Sequence, residues 1–161
     1  MKLSQKVERL AESETLAMSR LANELKDKGV DVINMSLGEP DFNTPEFIKE
    51  AAKKAIDENF SFYTPVPGYK ELLETIAMKL KRDNNLDYKP SQIIVSTGAK
   101  QSIMNALMAV INPGDEVIVP TPFWVSYGEM IALNDGKMVA IETDLKSDFK
   151  ITAAQLEKAI T

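Results

Sequence analysis

Short β-branched runs alternate along this chain with stretches of helical periodicity, and this alternation most constrains the fold. The runs lie at Ile93–Ser96, Glu116–Pro120 and Lys137–Glu142. Apolar residues at helical spacing fill 99–111 and 123–133 between them. Parallel strands need a long crossover between them, and a helix is the usual one. The sequence therefore predicts an α/β fold built from parallel βαβ units.

The flanking segments add helices whose ends are marked by capping residues. Amphipathic stripes predict helices at Glu14–Lys28, ended by Gly29, at 45–58 and at 69–83. Two further features are a short strand over Asp31–Ser36 and a sharp turn at Asn112-Pro113-Gly114-Asp115.

The sequence also predicts the ends of two helices and the burial of a third. Thr44 is the expected N-cap of the helix that begins with Pro45. Thr152 and Gln155 form the capping box of a last helix that runs to Thr161. The helix 99–111 is apolar on nearly every side, so we expect it to be buried.

Charge and composition exclude several function classes. The net charge is −5 and no basic run interrupts the sequence, so nucleic acid is not an expected partner. The chain has no cysteine and no histidine, which removes thiol nucleophiles, thiolate metal sites and the usual general base. Any chemistry must therefore use Lys, Asp, Glu, Tyr, Ser, Thr, backbone amides or a borrowed cofactor.

No segment of the sequence predicts export or membrane insertion. The N-terminal residues through Leu16 alternate charged and apolar side chains, unlike a secretory signal. The longest apolar run, Ala106–Ile111, is six residues and far too short to span a bilayer. We therefore expect a cytoplasmic protein without a membrane partner.

The turn from the run at 93–96 into the following helix is the first candidate binding site. It reads Ser96-Thr97-Gly98-Ala99-Lys100. Backbone N–H groups at the positive end of a helix bind phosphate readily, and Ser96, Thr97 and Lys100 can add hydroxyls and a positive charge. An ordinary strand-to-helix turn explains the same residues.

Other single residues each allow two or three interpretations. Trp124 follows a strand end, where a planar ligand can stack on its ring, or it is a core aromatic residue. Gly38 offers an unhindered amide to a ligand or simply makes a turn. Tyr63 lies in a proline-flanked loop. Its phenol either reaches a phosphate or a partner subunit, or it packs on the surface of the protein. Lys100 is a nucleophile, neutralises a phosphate, or is exposed.

Three familiar nucleotide and acyl-transfer motifs are absent. No Gly-x-Gly-x-x-Gly follows a strand, and the Gly98-Ala99-Lys100 step lacks the upstream glycine of a P-loop. Thr97 stands where a Ser-x-x-Lys acyl-transfer motif needs serine.

Five motifs taken together resemble one enzyme family, in the right order and at the right spacing from about Leu3 to Thr161. They are Leu37-Gly38-Glu39-Pro40-Asp41-Phe42, the Tyr63 loop running into Pro67-Gly68, Ser96-Thr97-Gly98-Ala99-Lys100-Gln101, Asn112-Pro113-Gly114-Asp115-Glu116-Val117, and Pro122-Phe123-Trp124-Val125-Ser126-Tyr127. This set resembles the pyridoxal-phosphate-dependent class I aminotransferases, in particular the aspartate aminotransferase-like group. The resemblance implies the N-terminal portion of a fold type I large domain over 45–161, with a small-domain or arm segment over 1–44.

The same resemblance implies a role for each matched residue. The amides of Gly98, Ala99 and Lys100 would hold the phosphate of pyridoxal 5'-phosphate, and Trp124 would stack on its ring. The Gly38 amide would contact the substrate carboxylate, and Trp124 would also border the substrate. Tyr63 would reach the cofactor phosphate of a neighbouring subunit, so the resemblance implies a homodimer.

The implied activity moves an amino group between an amino acid, such as aspartate, and a 2-oxo acid. The family's Schiff-base lysine and its pyridine-nitrogen aspartate have no match in this sequence, so we expect the 161-residue chain alone to be inactive. Two alternatives remain at this stage. The chain is a non-catalytic remnant that binds a phosphate or a partner, or it belongs to a lyase or synthase that uses the same cofactor and fold.

Overall fold

The computed structural model describes residues 2–161 and contains the alternating helices and strands of an α/β chain. In chain order the elements are α1 (Gln5–Glu8), α2 (Glu14–Asp27), α3 (Glu46–Asp57), α4 (Lys70–Asn84), α5 (Gly98–Val110), β1 (Glu116–Pro120), α6 (Ser126–Leu133), β2 (Lys137–Ile141) and α7 (Ala153–Ala159). Single 3-10 turns at Pro90–Gln92 and Leu145–Ser147 connect some of them.

The chain forms two compact units. The first contains the residues through Gly38 together with Ile103–Thr161, and the second contains Glu39–Ser102. The division predicted from the resemblance, 1–44 and 45–161, concerns the domains of that family and stays a prediction.

A parallel βαβ unit forms the core of the first unit, as the alternation of runs and helices predicts. Strands β1 and β2 pair in parallel with Glu116 opposite Lys137 and Pro120 opposite Ile141, and α6 provides the crossover. Apolar side chains from both strands and from α6 are buried, namely Val119, Ile141, Met130 and Ile131. Because the two strands run parallel, their carboxyl ends lie at the same edge of the sheet, and the segment that follows β1 begins at that edge.

Several predicted helix ends are confirmed. Helix α2 begins at Glu14, as predicted, and Gly29 follows its end with φ +79°. The structure adds the N-cap of this helix, Ser13, whose Oγ accepts the Leu16 N–H. At the start of α7 the Thr152 hydroxyl accepts the Gln155 N–H, and the Gln155 side chain accepts the Thr152 N–H, which is the expected capping box.

Other predicted ends are wrong by one to three residues. Pro45, and not Thr44, occupies the N-cap position of α3, where its carbonyl accepts the N–H groups of Ile48 and Lys49. The helix predicted from 123 begins at Ser126, because the residues before it form the turn that leaves β1. The last helix ends at Ala159 and does not reach Thr161.

Two predicted strands are not formed among the described residues. Residues 31–36 and 93–96 make no strand ladder, and the Val95 N–H donates instead to the carbonyl of Pro67 at 2.9 Å. A β-branched run favours an extended backbone, but a strand also needs a neighbouring strand to pair with. The prediction of three parallel strands is therefore corrected to two.

The expected burial of the helix 99–111 is also wrong. Helix α5 contains no buried residue, and Met108 and Val110 are largely exposed. Its apolar composition correctly indicated a helix, but nothing among residues 2–161 covers most of its surface. Periodicity reports what a helix can bury and does not identify the segment that covers it.

The N-terminal segment is tied to the turn between α6 and β2 by an ion-pair cluster within the first unit. Lys6 Nζ lies 2.7 Å from Asp135 Oδ2, and Arg9 Nη2 lies 2.9 Å from Asp135 Oδ1. The Ala11 N–H also donates to a carboxylate oxygen of Glu129 at 3.3 Å. Hydrogen bonds from Lys6, which has the larger effect, and from Arg9 lower the pKa of Asp135 below its ordinary value.

We predict that acid or the substitution Asp135→Asn loosens this segment. Because the folded-state pKa of Asp135 is lowered, the ion pairs are complete above its ordinary pKa of about 4 and are lost as pH falls through the lower folded value. Asn also tolerates the left-handed backbone at this position, where φ is +59°. Hydrogen–deuterium exchange of residues 2–11 at pH 7 should be modestly faster in Asp135→Asn, as expected of exposed ion pairs.

Asp148→Asn is the matched control. Asp148 is also left-handed, with φ +53°, and it pairs with Lys150, remote in sequence from the N-terminal segment. Exchange of residues 2–11 should be unchanged in this control, and equal acceleration in both variants would contradict the prediction.

Candidate functional site

The turn at 96–100 begins α5 with a specific backbone conformation. Gly98 has φ +82°, a left-handed value that costs a residue with a Cβ atom about 1–2 kcal/mol. The Gly98 N–H donates to the Ser96 carbonyl at 2.9 Å, and the Thr97 N–H donates to Gln101 Oε1 at 2.5 Å. The N–H groups of Thr97 and Gly98 therefore already have acceptors, which lie within residues 96–101.

The next residues form the first turn of α5, at the positive end of the helix. Amides in a first turn have no carbonyl of the same helix to bond, and this end of a helix favours an anion. A Cβ atom built at Gly98 would meet no heavy atom within 4 Å, so the space beside the turn is open. Amide donors, the Lys100 side chain and open space beside a glycine fit a phosphate group.

The loop that carries Tyr63 is hydrogen-bonded to the segment leading into this turn. The Gly68 N–H donates to the Pro65 carbonyl, and the Pro67 carbonyl accepts the Val95 N–H, both at 2.9 Å. A Cβ atom at Gly68 would lie 3.1 Å from a methyl group of Val95, so the two segments pack closely. The structure therefore joins the end of the Tyr63 loop to Val95, in the segment that leads into the 98–100 turn, within the second unit. Sequence reasoning missed the hydrogen bond between Val95 and Pro67, because it joins backbone atoms and no side-chain motif indicates it.

The Tyr63 ring itself is fully exposed to solvent. In the same loop region, Phe60 packs edge-on against Tyr69, with ring centroids 6.2 Å apart. The loop is thus anchored by neighbouring aromatic and backbone contacts, while its phenol projects outward. This exposure does not support the alternative in which Tyr63 packs on the surface of its own chain.

Trp124 lies in the first unit, immediately after β1. Its indole is 41% exposed and packs edge-on against Tyr127, with centroids 5.6 Å apart and an interplanar angle of 87°. The ring is held in place without being a buried core residue. This geometry fits a stacking surface better than the alternative core role.

Two threonines fix the segment between β1 and Trp124. The Thr121 N–H donates to the Ile141 carbonyl at 2.9 Å, and the Thr143 N–H donates to Thr121 Oγ1 at 3.2 Å. The Thr143 hydroxyl also donates to the Thr121 carbonyl. Sequence reasoning missed these residues, although a hydroxyl one or two residues beyond each strand end was a usable signal.

Gly38 also lies in the first unit, in an irregular segment. It is exposed, and a Cβ atom there would meet no heavy atom within 4 Å. Gly38 and Trp124 thus belong to one unit, and Tyr63 and the 98–100 turn belong to the other. The roles assigned to these residues stay predictions.

The described part of the chain contains neither a group of metal-binding side chains nor a membrane-spanning helix. Between residues 2 and 161 no group of three or more His, Cys, Asp or Glu side chains is arranged to hold a metal ion. Over the same residues no helix is both long enough and apolar enough to cross a membrane.

Comparison with known proteins places these observations in a family. The model of the family "Aminotransferase class I and II" matches residues 30–161. A probable aspartate/prephenate aminotransferase from Rhizobium leguminosarum is 52% identical over 159 residues, which are 99% of this chain and 40% of the relative. The aspartate aminotransferase of Bacillus subtilis is 49% identical over 161 residues, covering 100% of this chain and 41% of the relative.

Solved structures agree with the sequence relatives. The crystal structure of the aspartate aminotransferase from Rhizobium meliloti superimposes with a TM-score of 0.94 at 43% identity, covering 100% of this chain and 40% of that one. The predicted α/β class with the aspartate aminotransferase-like fold type I is confirmed. The chain spans about 40% of the length of the relatives that it matches. It belongs to the class I and II aminotransferases, and its resemblance to the N-terminal part of a class I member is confirmed.

Proposed function

We propose that this chain is the N-terminal portion of an aminotransferase that uses pyridoxal 5'-phosphate. The complete enzyme moves an amino group between an amino acid and a 2-oxo acid. The observation that carries this proposal is the 52% identity over 99% of the chain to a probable aspartate/prephenate aminotransferase. Because the relatives are named aspartate/prephenate aminotransferases, aspartate is the first amino donor to test and prephenate is one amino acceptor to test. We also propose that the enzyme is cytoplasmic.

The donor set at the start of α5 supports a site for the cofactor phosphate. Open space beside Gly98 admits an oxygen close to the backbone, and the first-turn amides of Ala99 and Lys100 supply N–H donors at the positive end of a helix. The Lys100 side chain adds a positive charge. When bound, the cofactor supplies the electron sink for the reaction, while the protein binds and orients it.

The other predicted residues act by orientation. Trp124, held edge-on by Tyr127, covers one face of the pyridine ring and restricts its tilt. The Gly38 amide donates to the substrate carboxylate, and the space that a Cβ atom would occupy at this residue is open. Lys100 belongs to the phosphate turn, so it is not the lysine that attaches the cofactor.

The exposed Tyr63 supports a homodimer in which each subunit completes the site of the other. Its phenol is fully exposed, while its loop is fixed to Val95 through Pro67. A rigid loop that presents an unburied phenol is suited to a hydrogen bond with a phosphate of a second copy.

Titration of the full-length protein with pyridoxal phosphate tests the proposal. We expect saturable binding with a change in visible absorbance, and borohydride should then fix the cofactor to a lysine outside these 161 residues. Incubation with aspartate and a 2-oxo acid should yield the corresponding new amino acid. Absence of binding, or cofactor trapped on Lys100, would contradict the assignment. Binding with elimination or condensation products instead would identify a lyase or synthase of the same fold.

A further inference from the structure

Gln101 directly follows the turn at 96–100, and the resemblance assigns it no role. Its Oε1 atom accepts the Thr97 N–H across the left-handed Gly98. Two other glutamines accept a backbone N–H at the start of a helical turn, Gln92 from Lys89 at 3.0 Å and Gln155 from Thr152 at 2.9 Å. Those two contacts span three residues, whereas the Gln101 contact spans four and encloses the glycine.

This contact decides which amides of the turn face outward. With the Thr97 N–H held by Gln101, the Gly98 N–H donates to the Ser96 carbonyl at 2.9 Å. Both amides are then directed to acceptors within the turn. A phosphate that binds without disturbing these two hydrogen bonds must use the amides that follow, those of Ala99 and Lys100.

We propose that Gln101 is a positioning residue for the cofactor phosphate. It fixes the Thr97–Gly98 peptide so that the Ala99 and Lys100 amides, and not the Gly98 amide, receive the phosphate oxygens. This inference rests on the proposed function, and it deepens that function by naming the side chain that sets the shape of the phosphate site.

The physical reason is preorganisation. Glycine has more backbone freedom than any other residue, so a turn centred on Gly98 is not held by its own dihedral preferences. Without the Gln101 acceptor, the Thr97 N–H needs another partner, and a phosphate oxygen or water competes for it. Binding must then include the cost of ordering the turn, which weakens affinity without removing any contact to the phosphate.

The variant Gln101→Leu tests this in the full-length protein, with Gln92→Leu as the matched control. Leucine has similar size and good helix propensity but cannot accept a hydrogen bond. Gln92→Leu loses the same kind of hydrogen bond in the same compact unit, outside the phosphate turn. Equilibrium titrations would measure the Kd values of pyridoxal phosphate and of pyridoxal, which lacks the phosphate, and the competition by inorganic phosphate.

We expect Gln101→Leu to weaken pyridoxal phosphate binding about fivefold, the effect of one ordinary hydrogen bond. Binding of pyridoxal should be unchanged, inorganic phosphate should compete less well, and Gln92→Leu should behave like the unsubstituted protein. Unchanged pyridoxal phosphate affinity in Gln101→Leu, or equal loss for both ligands, would overturn the role of Gln101. Failure of the unsubstituted protein to bind pyridoxal phosphate would instead overturn the proposed function.

Discussion

Gly98→Ala should weaken pyridoxal phosphate binding by the full-length protein by about tenfold or more. Gly98 has φ +82°, and alanine avoids such values at a cost of about 1–2 kcal/mol. The turn can relieve this strain only by rotating the peptides on either side of residue 98. That rotation would break the hydrogen bond from Gly98 to Ser96 and redirect the first-turn amides, and each 1.4 kcal/mol lost in binding is about tenfold in Kd.

Gly29→Ala separates this effect from general loss of stability. Gly29 has φ +79°, and a Cβ atom there also meets nothing within 4 Å, so both variants introduce the same strain in the same open surroundings. Both should lower the free energy of unfolding by about 1–2 kcal/mol. Only Gly98→Ala should change the Kd of pyridoxal phosphate. Equal affinity in the two variants would show that the 98–100 turn does not hold the phosphate.

The helices were predictable because their signals are local. Ser13 and Gly29 at the ends of α2, and the Thr152–Gln155 capping box of α7, act through residues within four positions of each other. The parallel pairing of β1 and β2 followed from the helix between them, since a crossover of that length permits it. Local chemistry was therefore sufficient for most of the element order.

The wrong predictions about strand pairing and burial depended on partners distant in sequence. Residues 93–96 have the composition of a strand, but the Val95 N–H bonds to Pro67, and no amount of local β propensity identifies that acceptor. The burial of α5 failed for the same reason, because an apolar surface does not name the segment that covers it.

The sequence predicts the candidate site as a set of residues, whose roles stay predictions, and not as a geometry. Motif order alone indicated Gly38, Tyr63, the 98–100 turn and Trp124. The structure adds what no motif contains, namely the tie between the Tyr63 loop and Val95 and the occupied amides of Thr97 and Gly98. Two of these contacts join backbone atoms, which carry no sequence signature, and the third joins the Thr97 amide to the side chain of Gln101.

Ile131→Ala should lower the free energy of unfolding of the full-length protein by about 3 kcal/mol. Ile131 lies on α6 and is only 2% exposed, the lowest value among the buried apolar residues of the described chain. The Cγ2 methyl group of Ile131 lies 3.1 Å from the position that a Cβ atom would occupy at Gly136. The turn between α6 and β2 is therefore tightly packed against Ile131. Truncation removes buried methylene and methyl groups and leaves a cavity that this rigid neighbourhood can fill only in part.

A graded series makes the origin of this loss measurable. Ile131→Val removes one methyl group and should cost about 1 kcal/mol, while Ile33→Ala, at a residue of the same unit that is 87% exposed, should change stability by less than about 0.5 kcal/mol. Urea denaturation followed by circular dichroism gives all three values from the midpoint shifts. If Ile131→Ala cost no more than Ile33→Ala, α6 would not be packed on the sheet as described. The parallel βαβ unit that presents Trp124 at its carboxyl edge would then lack its core.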